Sequence, residues 1–327
     1  MPGIADCRRR LTLRSIETRA EARREVPRNR GKIRAALVFA VLAVVAITQA
    51  ASSSELYSLP GAERLIERRI HAAHADVAVF FHPVDRGPEW SDNPDETFHA
   101  ASTMKIPVMI ELFHQAQQGK LALEDPLLIH NEFYSLVDGS PFRLEPANDS
   151  DPELYKSEGQ TRTLRQLCEL MITMSSNLAA NLLIKKLGVE NIRATVHSLG
   201  ADGMNVLRGV EDSKAYRAGI NNTTTARGLQ ILLTVIAEGR AVDPAASREM
   251  VEILKRQHFN EGIPSGLDPG TPVAHKTGKL KAEHHDAAIV YAPRPFVLVI
   301  LISGITDAKD SSALMGDITG ALRRATQ

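Results

Sequence analysis

A chain of 327 residues, 43% hydrophobic and 24% charged, holds enough apolar material for one large core or for two lobes sharing a cleft. Its formal net charge is zero, but residues 1–34 carry eleven Lys or Arg against four Asp or Glu, which leaves −7 on the remainder. That acidic balance speaks against a nucleic-acid partner, and two cysteines, Cys7 and Cys168, are too few for a disulfide framework or a cysteine metal site.

The basic arm runs into Ala35–Ile47, thirteen uncharged apolar residues, and then into small side chains. This reads as a secretory h-region with cleavage near Ala50 or Ala51. Residues 1–51 are thus expected to be a signal peptide or, left uncleaved, a membrane anchor, although a full span needs about 20 residues. The expected location is the periplasm or another exported compartment. Cys168, among helix-spaced apolar residues in LRQLCELMITM, is expected in the core.

Residues 55–327 form the second expected unit. GAERLIERRIHAAH has the spacing of a helix and DVAVFFHPV that of a strand, and EWSDNPDETFHA reads as a turn with a second short strand. A helix over 102–118 should end at Gly119. Between about 120 and 270 the pattern is helical, in TLRQLCELMITM, NLAANLLIKKLG, TTTARGLQILLTVIAEG and DPAASREMVEILKRQ. Two strands, HDAAIVYA and FVLVILISG, and a helix over 311–325 close the chain. The expectation is an α+β fold in which both chain ends (about 55–120 and 270–327) build a sheet lobe with flanking helices, and an all-helical lobe is inserted between them. Residues 131–161 have no period and are rich in Pro, Gly and acids, as functional or mobile loops are.

Three short motifs carry chemistry. In ASTMKIPVMIELF, Ser102 and Lys105 stand three apart, on one face of a helix. A serine hydroxyl needs a base to become a nucleophile, and a lysine buried among Met104, Ile106 and Val108 can be neutral enough to serve. First-turn backbone N–H groups near Ser102 suit an oxyanion. In MITMSSNLAANLL, Ser175 and Asn177 can reach a cleft together, the hydroxyl to pass a proton and the amide to hold the lysine and a substrate amide. In AHKTGKL, Lys276 and Thr277 suit a substrate carboxylate, and Gly278 lets backbone approach closely. Each has a plainer reading: a capping serine with a surface lysine, a helix cap, and a turn.

In this order the three motifs resemble the S-x-x-K, S-D-N and K-T-G signatures of the serine β-lactamase and penicillin-binding protein superfamily, and most nearly class A β-lactamases, over about residues 55–327. The resemblance implies that Ser102 is acylated, that Lys105 is its base or proton relay, and that Ser175 shuttles a proton. It further implies that Asn177 orients substrate, that Lys276, Thr277 and Gly278 form the carboxylate site, and that Glu211 activates the deacylating water. A surface acid is the plainer reading of Glu211.

The sequence departs from that pattern in places. Ser176 replaces the motif aspartate, Lys279 follows K-T-G where a small residue is usual, and Ala215 falls where the family keeps a water-holding asparagine. These departures bear on deacylation more than on acylation. His284 and His285 stand where a further cationic contact is common, and exposed strand-edge histidines are the equal alternative; no zinc site follows from them. The implied protein is a monomeric exported serine hydrolase without cofactor, opening a β-lactam amide. A D-alanyl peptidase or esterase acting on peptidoglycan-like substrates, or a slow-turnover penicillin-binding domain, stands as the alternative.

Overall fold

The computed structural model describes residues 58–326. The basic arm, the run Ala35–Ile47, its expected cleavage point and Cys7 lie outside the described residues.

Helix α1 (Leu59–Ala73), capped by Ser58 and opened by Pro60, leads into β1 (Asp76–Pro83), β2 (Trp90–Asp92) and β3 (Phe98–His99). A 3₁₀ turn, Ala101–Met104, precedes α2 (Lys105–Gln117). The middle of the chain holds β4 (Pro126–Leu128), β5 (Phe133–Tyr134), β6 (Pro141–Phe142), β7 (Thr161–Thr163), α3 (Leu164–Thr173), α4 (Asn177–Leu187) and α5 (Val189–Ser198). It continues through α6 (Ser213–Arg217), β8 (Thr223–Thr224), α7 (Ala226–Ala237) and α8 (Pro244–Lys255). Strands β9 (Val273–Lys279), β10 (Glu283–Val290) and β11 (Phe296–Ser303) and helix α9 (Ala308–Thr326) complete it.

The main sheet has the order β2-β1-β11-β10-β9 and is antiparallel throughout, so the two ends of the chain meet in it as the α+β expectation requires. Both faces are covered, which is why β11 reads as an unbroken apolar run. Val77, Val79, Phe81, Leu298 and Ile300 pack with Ile318 and Leu322 of α9, while Ala78, Phe80, Val297 and Val299 belong to the core shared with α2, α4 and α7. Cys168 lies in that second core, where burial pushes its thiol up to about 12. Among the described residues no helix is long and apolar enough to cross a membrane.

The structure corrects several expectations. K-T-G is not a turn: it lies inside β9, a third closing strand hidden by its two lysines and a histidine. Ser102 sits in the 3₁₀ turn, and the α-helix begins only at Lys105. The inserted lobe is not all helical, since β3·β8, β4·β7 and β5·β6 form short pairs around it, and α5 follows α4 directly through Gly188. Residues 131–161, expected to be aperiodic, contain the β5–β6 hairpin and two 3₁₀ turns.

Candidate active site

The turn that carries Ser102 is held on all sides. Ala101 has φ +44°, a region that non-glycine residues seldom adopt. Its N–H donates to His99 Nδ1 at 3.0 Å, while Ala100 N–H donates to Asn222 O at 2.8 Å and Thr103 Oγ1 to Ala100 O at 2.6 Å. Behind them His285 takes an N–H from Ile302 on Nδ1 (3.3 Å), which leaves the proton on Nε2 to donate to His99 O (2.8 Å). Ser102 itself is half-buried, and its hydroxyl makes no hydrogen bond to a described residue.

Lys105 and Lys276 are both fully buried and converge on Ser175. Lys105 Nζ lies 2.6 Å from Ser175 O, 2.8 Å from Asn177 Oδ1 and 3.3 Å from Ser175 Oγ; Lys276 Nζ lies 3.0 Å from Ser175 Oγ and 2.9 Å from Thr277 O. Neither is the surface lysine of the plainer reading. Burial lowers the Lys105 amine to about 7, against the opposing charges of Asp149 and Glu211. Burial, and then the neighbouring Lys105, hold Lys276 well below its ordinary value. Ser175 has φ +59°, so its hydroxyl and carbonyl are both presented to the amines from a strained residue.

Strand β9 is the open edge of the sheet. Leu280 N–H, just beyond it, bonds Glu283 O on the β10 side, and by strand alternation the Thr277 and Lys279 amides point outward, toward Ser102. The approach is close: a Cβ on Gly278 would lie 3.1 Å from Ala101 Cβ and 3.3 Å from Ser102 N, so any side chain there would crowd the serine turn by a few tenths of an ångström. Two cavities of about 500 and 450 Å³ meet at Ser102, and both are also lined by Asn148, Asn177 and Lys279. The first contains Glu211, Arg208 and Tyr216, and the second Ser175, Thr277, Gly278 and Ser311. Lys276 lies behind Thr277 rather than on either wall.

Glu211 joins this cluster: Asn177 Nδ2 donates to its Oε1 at 2.7 Å, and burial raises its carboxyl above the usual range. It too has a positive φ, +63°. Its loop is anchored by Asn181, whose amide spans Val210 N (2.7 Å) and Val210 O (3.0 Å), and by Asn222, which accepts from Arg208 N and donates to Arg208 O. Next to it, Asp212 accepts from Ser135 Oγ (3.0 Å), Leu136 N (2.8 Å) and Ala215 N (3.0 Å), and Lys214 pairs with Asp138, so the β5–β6 hairpin clasps the loop. Ala215 is buried and offers only a methyl group.

Neither His284 nor His285 is an exposed strand-edge group. Both are buried, and burial holds His285 at about 4 and lowers His284 as well, so neither supplies a positive charge near neutral pH. The register that pairs them with Lys279 and Gly278 lies beneath the β9 edge, which their sequence positions alone did not reveal. Sequence reasoning also missed Asp149, Asn148, His99 and Arg208. Only the aperiodic stretch 131–161 gave a signal for the first two. Among the described residues no group of three or more His, Cys, Asp or Glu is placed to hold a metal ion.

A two-lobed α+β structure with a serine turn against a sheet edge defines a class of serine hydrolases, and comparison with known proteins makes it specific. The profile of the Beta-lactamase enzyme family matches residues 61–325, and the chain belongs to that family. Its enzyme class is that of a serine β-lactamase-type hydrolase. It is similar to a β-lactamase of Bacillus licheniformis (27% identity over 240 residues, 71% of this chain and 73% of that one). A β-lactamase of Streptomyces albus G is 24% identical over 81% of this chain and 84% of its own. The crystal structure of a β-lactamase from Sphaerobacter thermophilus superposes with a TM-score of 0.69 at 25% identity, covering 82% of this chain and 96% of that one.

Proposed function

We propose that the protein hydrolyses the amide of β-lactams through an acyl-serine on Ser102. The observation that carries this reading is the convergence of two buried amines, Lys105 and Lys276, on the Ser175 hydroxyl beside an unengaged Ser102. A lysine lowered to about 7 is partly neutral at physiological pH and can take the Ser102 proton as Oγ attacks the carbonyl carbon. The oxyanion is received by the Ser102 and Lys279 backbone N–H groups. Ser175 then gives its proton to the ring nitrogen and is reprotonated from the Lys105 ammonium, so the C–N bond breaks and the nitrogen, now neutral, stays attached to the opened acyl group.

Deacylation reverses these roles. Glu211 takes a proton from water, whose oxygen attacks the ester carbon; the bond from that carbon to Ser102 Oγ then breaks and Oγ recovers the proton held by Glu211, which ends ionised again. The substrate carboxylate is met by Thr277 and Lys279 at the cavity wall, with the Lys276 side chain behind them and Gly278 giving clearance. Asn177 orients the substrate amide. Because Ala215 presents no amide to hold the attacking water, the same geometry favours a slow second half-reaction, and a penicillin-binding or D-alanyl peptidase activity is the second reading.

Fluorescent penicillin should label the wild-type protein and leave Ser102→Ala unlabelled; equal labelling of both removes the assignment. The N-terminal arm extends the reading to an exported enzyme. Protein recovered from the cell envelope should begin near Ala51 or Ser52, and a full-length chain confined to the cytosol would contradict export.

A further inference from the structure

The most densely bonded carboxylate near the site belongs to a residue outside all three motifs. Asp149 follows the 3₁₀ turn Pro146–Asn148 and is 7% exposed. Its Oδ1 accepts from Asp151 N at 3.0 Å and Asn177 N at 3.1 Å; its Oδ2 accepts from Asn177 N at 2.9 Å, Leu178 N at 3.0 Å and Tyr155 OH at 2.8 Å. The first two amides of α4, which an ordinary helix leaves unmet, are thus met by a side chain 28 and 29 residues away. Ser176, the residue in the capping position, accepts from Ala179 N at a long 3.4 Å and turns its hydroxyl to the Asp151 carboxylate.

Every hydrogen-bond donor on Asp149 is neutral, so its charge is not cancelled by a guanidinium or ammonium in contact with it. The helix N-terminus balances it from one side. The groups that act electrostatically on the Lys105 amine are Asp149, Glu211 and Lys276, and the two carboxylates stabilise its charged form. Asp149 therefore touches Asn177 through the backbone and Lys105 through its field, while Asn177 Oδ1 and Lys105 Nζ are themselves bonded at 2.8 Å.

We propose that Asp149 is a positioning residue for acylation: it fixes Asn177 at the mouth of the cleft and supplies the negative charge against which Lys105 becomes an ammonium when it accepts the Ser102 proton. Asp149 acts through its hydrogen bonds and its field and takes no part in the proton transfers themselves. The proposal rests on the reading of Ser102 and Lys105 given above. Ser176, standing where the family motif has an aspartate, leaves the helix terminus without an acid of its own, and the loop provides one.

The test is the pH dependence of acylation by fluorescent penicillin, measured for the wild type, Asp149→Asn and Asp149→Glu, with thermal unfolding as a check that each is folded. Removing the charge lets the Lys105 amine lose its proton more easily, so the acid limb for Asp149→Asn should move to lower pH by about one unit while the plateau falls by about tenfold or more. Asp149→Glu keeps the charge and should keep the limb at the wild-type position, even with a lower plateau. A limb that stays put in Asp149→Asn, or moves equally in both variants, overturns the proposal and leaves the acyl-serine reading intact. A wild type that is never acylated overturns both. Should Asp149→Asn not fold, Asp149→Ser is read in the same way. Hydrogen exchange on the unaltered protein adds a further check: the Asn177 and Leu178 amides should exchange slowly, and fast exchange at both overturns the proposal.

Discussion

The two cavities that meet at Ser102 are built differently. The one lined by Ser175, Thr277 and Gly278 rests on regular structure: the first residues of a helix on one side, the edge of a five-stranded sheet on the other, and two buried amines between them. The one lined by Glu211 rests on a loop tied down by neutral amides, Asn181 and Asn222, and by a hairpin that grips Asp212. Groups on helices and strands keep their geometry when a contact is lost, whereas groups on loops depend on each tie. The difference teaches that the two half-reactions should respond to different mutations.

The largest break is expected in the rigid half. Lys105→Ala should slow acylation by on the order of 10²–10⁴-fold, the usual worth of a general base, and leave the deacylation rate of any acyl-enzyme that forms much less affected. The same group sets a pH limb: the amine is protonated below about 7, so the acylation rate should fall about tenfold per pH unit below that point and level off above it. A rate independent of pH between about 5 and 8 would remove Lys105 as the base.

Thr277→Val sharpens the comparison from the carboxylate side. Removing the hydroxyl should cost a carboxylate-bearing substrate about 1.5–3 kcal/mol of transition-state binding, read as kcat/KM, while an ester without a carboxylate is nearly indifferent. Equal losses for both substrates would make β9 merely structural. The smallest effect belongs to the loop: Asp212→Ala frees the hairpin from the Glu211 loop and should slow deacylation by about tenfold, leaving the acylation burst unchanged. If acylation suffers as well, the two cavities are not independently supported.

What the sequence made legible follows the same division. Ser102 with Lys105 and Ser175 with Asn177 are local pairs, β1 and β11 are short apolar runs and the amphipathic helices have clear periods, so these elements and the α+β fold could be read directly. Strand β9 could not, because Lys276 and His275 are buried at positions where apolar residues would have marked a strand. His275 is tolerated there because it pairs with buried Asp286 at 2.9 Å, a contact 11 residues away. Asp149 and the β5–β6 clasp were hidden for a related reason: their partners lie 28 to 77 residues away, joined through a stretch that has no period of its own. The burial of His284 and His285 was set by α9 and by the turn before Ser102, neither of which is near them in the chain.

The central claim is that acylation is fully equipped and deacylation is not, since Glu211 has Asn177 to hold it, while Ala215, at the position where the family keeps a water-holding amide, offers only a methyl group. The most direct measurement is a pre-steady-state time course of a chromogenic cephalosporin, with the intact mass of the protein recorded at each point. The account predicts a burst of product equal to the enzyme, a slow steady state, and a mass increase on Ser102 that persists through it, with Glu211→Gln keeping the burst and losing the steady state. Linear turnover with the unmodified mass at every point, or a Glu211→Gln variant that turns over at the wild-type rate, would contradict it.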